Sequence, residues 1–285
     1  MDNTTVHPLS KDLEYILDLL LFKGRPENRD IDREVVVLIN HGFTVGFSPA
    51  RLQPLWAAYR VAGSDRDLGF DRPHLYYEDA RLDPEWQIGS ETFGRHGDIQ
   101  YHVGHMVPNE AINRQFGRLA QMETFFMSNM SPQRGSLNKG VWLTLENMIR
   151  NIEDTPDKDH VWAIAGPIFS NNPDQIDRPN GKVVPIPEAY YCITVDPFRY
   201  PWDRPSNVDI VCFRIPQAAE SGTSLETFIV DLNRIENETN LKFFPAWEDD
   251  DDDVASRSIV TFDPSEIIRG APESRHRLLA QLADE

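Results

Sequence analysis

The sequence Leu137-Asn138-Lys139-Gly140-Val141-Trp142-Leu143-Thr144-Leu145-Glu146 contains the start of a predicted amphipathic helix. Beyond Asn138 the apolar residues recur every three or four positions, which places one apolar stripe against a core. The stripe consists of Val141, Trp142, Leu145, Met148, Ile149 and Ile152. Glu146 follows Asn138 by eight residues, about 12 Å along a straight helix. The two side chains therefore cannot both touch one ion, although helical side chains lean toward the N-terminus and shorten the gap.

Two shorter motifs precede this helix. Val103-Gly104-His105-Met106-Val107-Pro108 lies where a predicted strand, residues 101–108, runs into a turn, and glycine lets His105 approach a ligand closely. A predicted helical insert at 109–121 and a predicted buried strand at 124–127 follow. They lead to Ser128-Asn129-Met130-Ser131-Pro132-Gln133. A histidine, an asparagine and a glutamate in this order can supply the base and the metal site that phosphodiester hydrolysis needs.

Strand, strand and helix around a histidine and an asparagine is the layout of the ββα-metal nucleases. The sequence resembles the DNA/RNA non-specific endonuclease family, which includes Serratia nuclease and endonuclease G. The family pattern reads roughly Asp-Arg-Gly-His, then Leu-Ser-Asn-Ile-Ser-Pro-Gln, then Leu-Asn-x-Gly-x-Trp-x-x-Leu-Glu. Residues 128–133 and 137–146 match the last two, and weaker likeness extends over about 35–249. The resemblance implies an α+β ββα-metal nuclease fold, with a central antiparallel sheet, the catalytic ββα element and flanking helices.

The resemblance also implies roles for individual residues. His105 is expected to be the general base, and Asn138 the only direct protein ligand of Mg²⁺, or of Mn²⁺ in its place. Glu146 is expected to hold a metal-bound water, and Arg72 to stabilise the phosphate in the transition state. The substrate is expected to contact His102, Asn129, Gln133 and Arg134.

The pair His102-Val103 departs from the family pattern, which has Asp-Arg before Gly-His. A valine cannot replace a bidentate guanidinium. His102 would be a substitute phosphate contact, a group that orients the base, or a surface residue. The sequence leaves these three alternatives open.

Two classes of function follow from the motifs. The first is a magnesium-dependent, sugar-non-specific endonuclease acting on DNA and RNA, regulated by assembly or by a partner, as in a defence effector or a toxin. The second is a catalytically weakened nuclease-fold subunit that serves as a binding or scaffold module. Retention of His105, Asn138 and Glu146 together favours the enzyme.

The net charge of −18 is unusual for a protein that binds nucleic acid, because affinity for a polyanion comes largely from neutralising phosphates. The distribution of charge along the sequence is more favourable for binding nucleic acid. Residues 101–150 hold five basic and three acidic side chains, which gives +2 in the predicted site. Six of the 46 acidic side chains form the run 248–253, which we predict to be a solvated loop.

The two cysteines, Cys192 and Cys212, each lie in an apolar run, 190–195 and 210–215. We predict buried thiols on neighbouring strands rather than a disulfide, which favours a reducing, cytoplasmic location. The apolar run 16–22 follows acidic rather than basic residues, so it does not resemble a secretory signal. No stretch has the length of a membrane span.

We divide the chain into an N-terminal helical extension (1–34), the endonuclease domain (35–249) and an acidic linker with a C-terminal extension (250–285). The extension contains a predicted helix at 10–22 whose apolar residues exceed one stripe. A homo-oligomer or a regulatory partner would cover this surface, or the helix would pack on the nuclease core. Further strands are predicted at 35–39, 42–47, 56–61, 161–164, 190–195, 210–215 and 259–262, a loop at 171–181, and helices at 224–239 and 273–283.

Overall fold

The computed structural model describes residues 4–7, 14–30, 33–63, 70–151, 160–177, 181–197 and 208–247. The strands are β1 (Thr4–His7), β2 (Glu27–Asn28), β3 (Val35–Ile39), β4 (Phe43–Ser48), β5 (Gln53–Ala62), β6 (Arg95–His96), β7 (Ile99–His105), β8 (Met130–Arg134), β9 (His160–Ile168), β10 (Gln175–Asp177), β11 (Val183–Pro185), β12 (Ala189–Asp196), β13 (Asp209–Pro216), β14 (Ile229–Val230) and β15 (Leu241–Lys242). The α-helices are α1 (Glu14–Leu20), α2 (Asn109–Phe116), α3 (Arg118–Glu123), α4 (Gly135–Asn138), α5 (Val141–Asn151) and α6 (Leu232–Thr239).

An eight-stranded sheet in the order β1-β3-β4-β5-β9-β12-β13-β14 forms the centre of the protein. Its neighbouring strands are antiparallel except for the edge pair β1 and β3, which is parallel. Every residue of β3, β4 and β12 is buried, so both faces of the sheet are covered. This explains why these strands read as unbroken apolar runs in the sequence. The predicted α+β fold class is confirmed.

The two faces of the sheet support two separate cores. Successive side chains of a strand point to opposite faces, and Tyr190 accordingly packs in one core while Tyr191 packs in the other. The first core contains the apolar stripe of α5, including Trp142, together with α2. The second contains residues from the end of α1 and from α6. The catalytic element predicted from the sequence therefore lies on one face only.

The two cysteines occupy the positions predicted for them. Both are buried, on the paired strands β12 and β13, where Ile193 lies opposite Cys212. Cys192 belongs to the first core and Cys212 to the second, so their side chains lie on opposite faces of the sheet. This placement prevents a disulfide between them.

The predicted strand at residues 124–127 is wrong. The chain turns after α3, Phe126 makes a single parallel bridge with Tyr77, and a 3₁₀ turn at Met127–Asn129 leads into β8. Phe125 and Met127 are buried by tertiary contacts from the surrounding chain. A short apolar run signals burial, and here that burial does not come from a strand.

Three other elements are shorter or more divided than predicted. The insert at 109–121 is two helices, broken at Gly117, whose φ of 81° is unfavourable for other residues. The loop at 171–181 contains β10, which pairs with β11. The helix predicted at 224–239 is a 3₁₀ turn, then β14 at the sheet edge, then α6, whose first turn is capped where Asp231 accepts a hydrogen bond from the Arg234 amide.

The end of helix α1 packs on the chain's own core. Leu20, Leu21 and Phe22 are buried, whereas Tyr15 is 62% and Leu19 is 39% exposed. Most of the apolar surface that favoured a partner is thus covered within the chain. Residues 10–13, 152–159 and 248–285, on which other predictions rest, lie outside the described residues. Within the described ranges, no helix has the length and hydropathy needed to cross a membrane.

We predict that Phe22→Ala lowers the free energy of unfolding by about 3–5 kcal/mol, the usual cost of removing a buried aromatic ring. The ring packs against Trp162 at 5.6 Å and Trp247 at 5.9 Å between centroids. The exposed Leu19→Ala serves as control and should change stability by no more than about 0.5 kcal/mol. Denaturant unfolding measures both, and equal effects would mean that this segment does not pack as described.

Candidate active site

The strands β7 and β8 form an antiparallel pair that leads through α4 into helix α5. His105 lies opposite Met130 in this pair, and Gly104 lies opposite Ser131. A cleft of about 540 Å³ opens beside the pair. Its lining includes Arg72, His102, His105, Asn138 and Glu146. The fold thus brings together five residues that are separated by up to 74 positions in the sequence.

His105 stands at the end of β7 with 7% of its surface exposed. Its ring packs against Phe125 at 4.9 Å and Tyr76 at 6.1 Å between centroids. The buried Nε2 atom has no hydrogen-bond partner among the described residues. Burial, with a smaller effect of the Arg72 charge, lowers the pKa of His105 to about 3. The imidazole is therefore neutral at pH 7, and the same burial that keeps it neutral weakens it as a base.

Asn138 is held by a hydrogen bond from its Nδ2 to Oε1 of Gln133, at 2.7 Å. This leaves the Asn138 carbonyl-type oxygen without a hydrogen bond among the described residues and available in the cleft. The Gln133 side chain fits here because Gly104 faces it, since a Cβ at Gly104 would lie 2.2 Å from Gln133 Oε1. The glycine before His105 is therefore needed to admit the amide that orients Asn138.

Glu146 is positioned by the tryptophan one helical turn before it. Trp142 Nε1 donates a hydrogen bond to Glu146 Oε1 at 3.0 Å. Burial raises the pKa of Glu146 to about 8, against the opposing effects of the Trp142 hydrogen bond and of Arg72 and Arg150. A cation in the cleft would add to these opposing effects and favour the carboxylate.

Arg72 enters the cleft on an exposed segment that α2 and α3 hold in place. The Asn113 side chain donates to the Phe70 carbonyl at 2.9 Å, and Arg118 donates to the Asp71 carbonyl at 2.5 Å. The Arg72 guanidinium lies over the Phe125 ring, with Cζ 5.0 Å from the ring centroid. It therefore shares an aromatic neighbour with His105 and faces the same cleft.

Two residues predicted to contact substrate are buried instead. Asn129 is fully buried, and its side chain bonds the Val107 amide, the Val107 carbonyl and the Thr124 carbonyl at 3.0 Å each. Gln133 is also fully buried, beside Asn138. Burial prevents direct contact with a polynucleotide. Asn129 instead fixes the turn after His105, and Gln133 fixes the predicted metal ligand.

The remaining two substrate predictions have different outcomes. His102 lines the cleft, with its ring over the Gly135 backbone. Arg134 is half-buried, its amide donates to Gln217 Oε1 at 2.8 Å, and it is not part of the cleft lining. Val103, the position of the missing arginine, lines the cleft and packs on the cluster that includes Phe93 and Met130.

The sequence analysis did not assign a role in the site to Trp142 or Tyr76, and it assigned Gln133 to the substrate rather than to Asn138. Trp142 holds Glu146, and its spacing of four residues on a helix was a usable signal. Gln133 orients Asn138, which only the fold reveals. Tyr76 packs beside His105 and lines the cleft, although nothing in its sequence context indicates this.

The cleft suits a hard divalent cation held mainly through water. Mg²⁺ prefers oxygen ligands and keeps several waters, so that one or two protein groups suffice. The unengaged Asn138 oxygen and the Glu146 carboxyl provide such groups. Among the described residues no cluster of three or more His, Cys, Asp or Glu side chains could hold a metal.

The central sheet, together with the β7, β8 and α5 element beside the cleft, defines a ββα-metal nuclease fold. The family described as DNA/RNA non-specific endonuclease matches residues 28–250. The chain belongs to this family. The likeness expected from the motifs at 128–133 and 137–146 is thereby confirmed.

Known relatives agree with this assignment. The nuclease of Serratia marcescens is 23% identical over 217 residues, which cover 75% of this chain and 77% of that protein. The human mitochondrial nuclease EXOG is 27% identical, with 72% of this chain and 55% of that protein covered. A solved structure of EndoG in complex with its inhibitor EndoGI has a TM-score of 0.63 at 20% identity, with 80% of this chain and 91% of that chain covered.

We predict that Gln133→Ala lowers nuclease activity about 10–100-fold, the usual effect of losing a group that orients a metal ligand. The loss should be partly recovered at higher metal concentration, because Asn138 remains present but loses its hydrogen bond. Gln115→Ala is the control, since the Gln115 side chain bonds only the Ala62 carbonyl, at 2.7 Å. Activity is titrated against Mg²⁺, and a Gln133→Ala titration identical to the control would contradict this role.

Proposed function

We propose that this protein is a magnesium-dependent endonuclease that hydrolyses phosphodiester bonds of both DNA and RNA. The observation that carries the proposal is the convergence of His105, Asn138, Glu146 and Arg72 on one cleft. The names and family of the relatives support the same class of reaction. Mn²⁺ would serve in place of Mg²⁺.

The residues divide the reaction between them. His105 Nε2, which is buried and has no hydrogen-bond partner among the described residues, takes a proton from the attacking water. Asn138 would hold the cation directly and Glu146 would hold it through a water, and the cation would supply charge stabilisation for the phosphate and the leaving oxygen. Arg72 presents its guanidinium to the developing negative charge on the phosphate.

A second candidate function is a binding or scaffold subunit with weakened catalysis. Its supporting observation is Val103, whose apolar side chain occupies the position where the family pattern has an arginine. The neutral imidazole of His105 at the cleft wall and the oriented Asn138 favour the enzyme, because a scaffold has no need of either.

Regulation and location remain predictions. Tyr15 and Leu19 on α1 are exposed and would contact a second copy or a regulatory partner. The two buried thiols favour a cytoplasmic location. A role as a defence effector or toxin would require such control, because an unregulated nuclease damages its own cell.

We predict that His105→Ala and Asn138→Ala each lower cleavage of plasmid DNA and of RNA at least about a hundredfold, the scale expected for a general base and a metal ligand. Cleavage by the parent protein should stop when divalent metal is removed. His96→Ala is the matched control, because His96 is exposed on β6 and lies outside the cleft. Full activity of His105→Ala would reject the site.

We predict that Val103→Arg raises the turnover of the isolated protein at least about tenfold, part of the 10²–10³ that one preorganised donor to a transition-state charge is worth. This outcome requires that no other cation takes the place of the arginine that the family pattern has at position 103. If His102 replaces it, Val103→Arg will change little and His102→Ala will be damaging. Initial rates of the two variants on one oligonucleotide decide between these outcomes, and no change in either would exclude both positions from catalysis.

A further inference from the structure

The predicted catalytic residues lie in the middle of a longer groove. A second cleft of about 210 Å³ adjoins the first, and the two share Arg72, His105, Leu143 and Glu146. The larger part alone, at about 540 Å³, lies in the roughly 300–1,000 Å³ range of sites that enclose a whole organic ligand. The groove therefore has room for parts of the substrate on both sides of the bond that is cut.

Lys139 is a cation on the wall of the larger part of this groove. It directly follows Asn138 at the C-terminal end of α4, and it is exposed. Its ammonium group has no ion pair with any described residue. By contrast, Arg81 and Arg214 are held by carboxylates at 2.5–2.7 Å. In a chain with 46 acidic and 28 basic side chains, an unpaired lysine in the groove is available for an anion from outside.

We propose that Lys139 binds the substrate phosphate next to the one that is cleaved, on the Asn138 side. This inference rests on the proposed nuclease function. Consecutive residues at a helix end project about 100° apart around the axis, so Lys139 and Asn138 leave α4 in different directions although both line the cleft. Asn138 is half-buried and fixed, whereas Lys139 is exposed and carries its charge on a flexible stem.

A flexible point charge suits a neighbouring phosphate better than the reacting one. The position of the neighbouring phosphate changes with sugar and base, and a lysine can follow it without fixed geometry. The neighbouring Leu143, 42% exposed and shared by both parts of the groove, offers an apolar contact between the two phosphates. A substrate with a charged phosphate beside the cleaved bond is therefore preferred over a lone phosphodiester.

The test measures cleavage at one central bond of a labelled single-stranded oligonucleotide, by product length, with the full chain and Mg²⁺. Either neighbouring phosphate is made neutral as a methylphosphonate, one at a time. Lys139→Gln should lower kcat/KM about fivefold to tenfold, mainly through KM, and should reduce the salt slope of binding by about 0.7. Lys139→Arg should restore most of the activity. Lys242→Gln, an exposed lysine on β15, is the matched control.

The decisive comparison combines variant and substrate. One of the two methylphosphonates should lower the rate of the parent as much as Lys139→Gln does, and the combination should cause no further loss, because the two changes remove the same contact. Additive losses with both substrates, or a Lys139→Gln effect no larger than that of Lys242→Gln, would overturn the inference. A parent protein that binds the oligonucleotide but does not cut it would contradict the nuclease function instead. The same cycle run on dissociation constants by fluorescence anisotropy would then still decide the role of Lys139.

Discussion

The packing of Tyr190 between helix α5 and strand β8 is the contact on which the arrangement of the site depends. Its ring lies 5.6 Å from that of Trp142 between centroids, and its hydroxyl donates to the Pro132 carbonyl at 2.8 Å. Tyr190 stands on β12 in the middle of the central sheet, so one side chain joins the sheet, the helix that carries Glu146 and the strand that carries Gln133. Truncating a buried aromatic of this size costs about 3–5 kcal/mol, and here the loss would also release the helix from the strand.

Hydrogen bonds of buried polar side chains connect the central sheet to the site. Ser131 donates to Gln53 Oε1 at 2.7 Å, which ties β8 to β5 of the sheet. Asn129 closes the turn after His105, and Gln133 holds Asn138. An amide left unpaired in the interior costs about 1–3 kcal/mol. Asn129 and Ser131 are therefore fixed by their own neighbours, whereas the buried Gln133 is held through its Oε1 alone and its Nε2 has no hydrogen-bond partner among the described residues. All three support the predicted metal ligand from the interior.

The net charge of the whole protein differs in sign from the charge of the cations that line the predicted active site. The total of −18 opposes polyanion binding, yet Arg72, Lys139 and Arg150 line the groove on either side of His105. Phosphates are neutralised by the few cations they touch, whereas distant carboxylates act through solvent and are screened within about 8–10 Å at ordinary ionic strength. A strongly acidic chain can therefore present a local surface suited to nucleic acid.

Patterns along the chain were sufficient to predict the helix at 141–151, the long strands of the sheet, the two buried thiols and the family. Each of these depends on local periodicity or on a motif of fixed spacing. Three other features depend on contacts between distant parts of the chain: the turn at 124–127, the division of 224–239 into a 3₁₀ turn, a strand and a helix, and the burial of Asn129 and Gln133. A short apolar or amide-rich run has the same appearance whether it lies in a strand, a turn or a wall of the site. The residue that buries such a run lies far away in the sequence or on the neighbouring strand. Tyr190 covers Pro132 in this way, and Gly104 lies against Gln133. Spacing along the chain carries no information about such contacts until the sheet has formed.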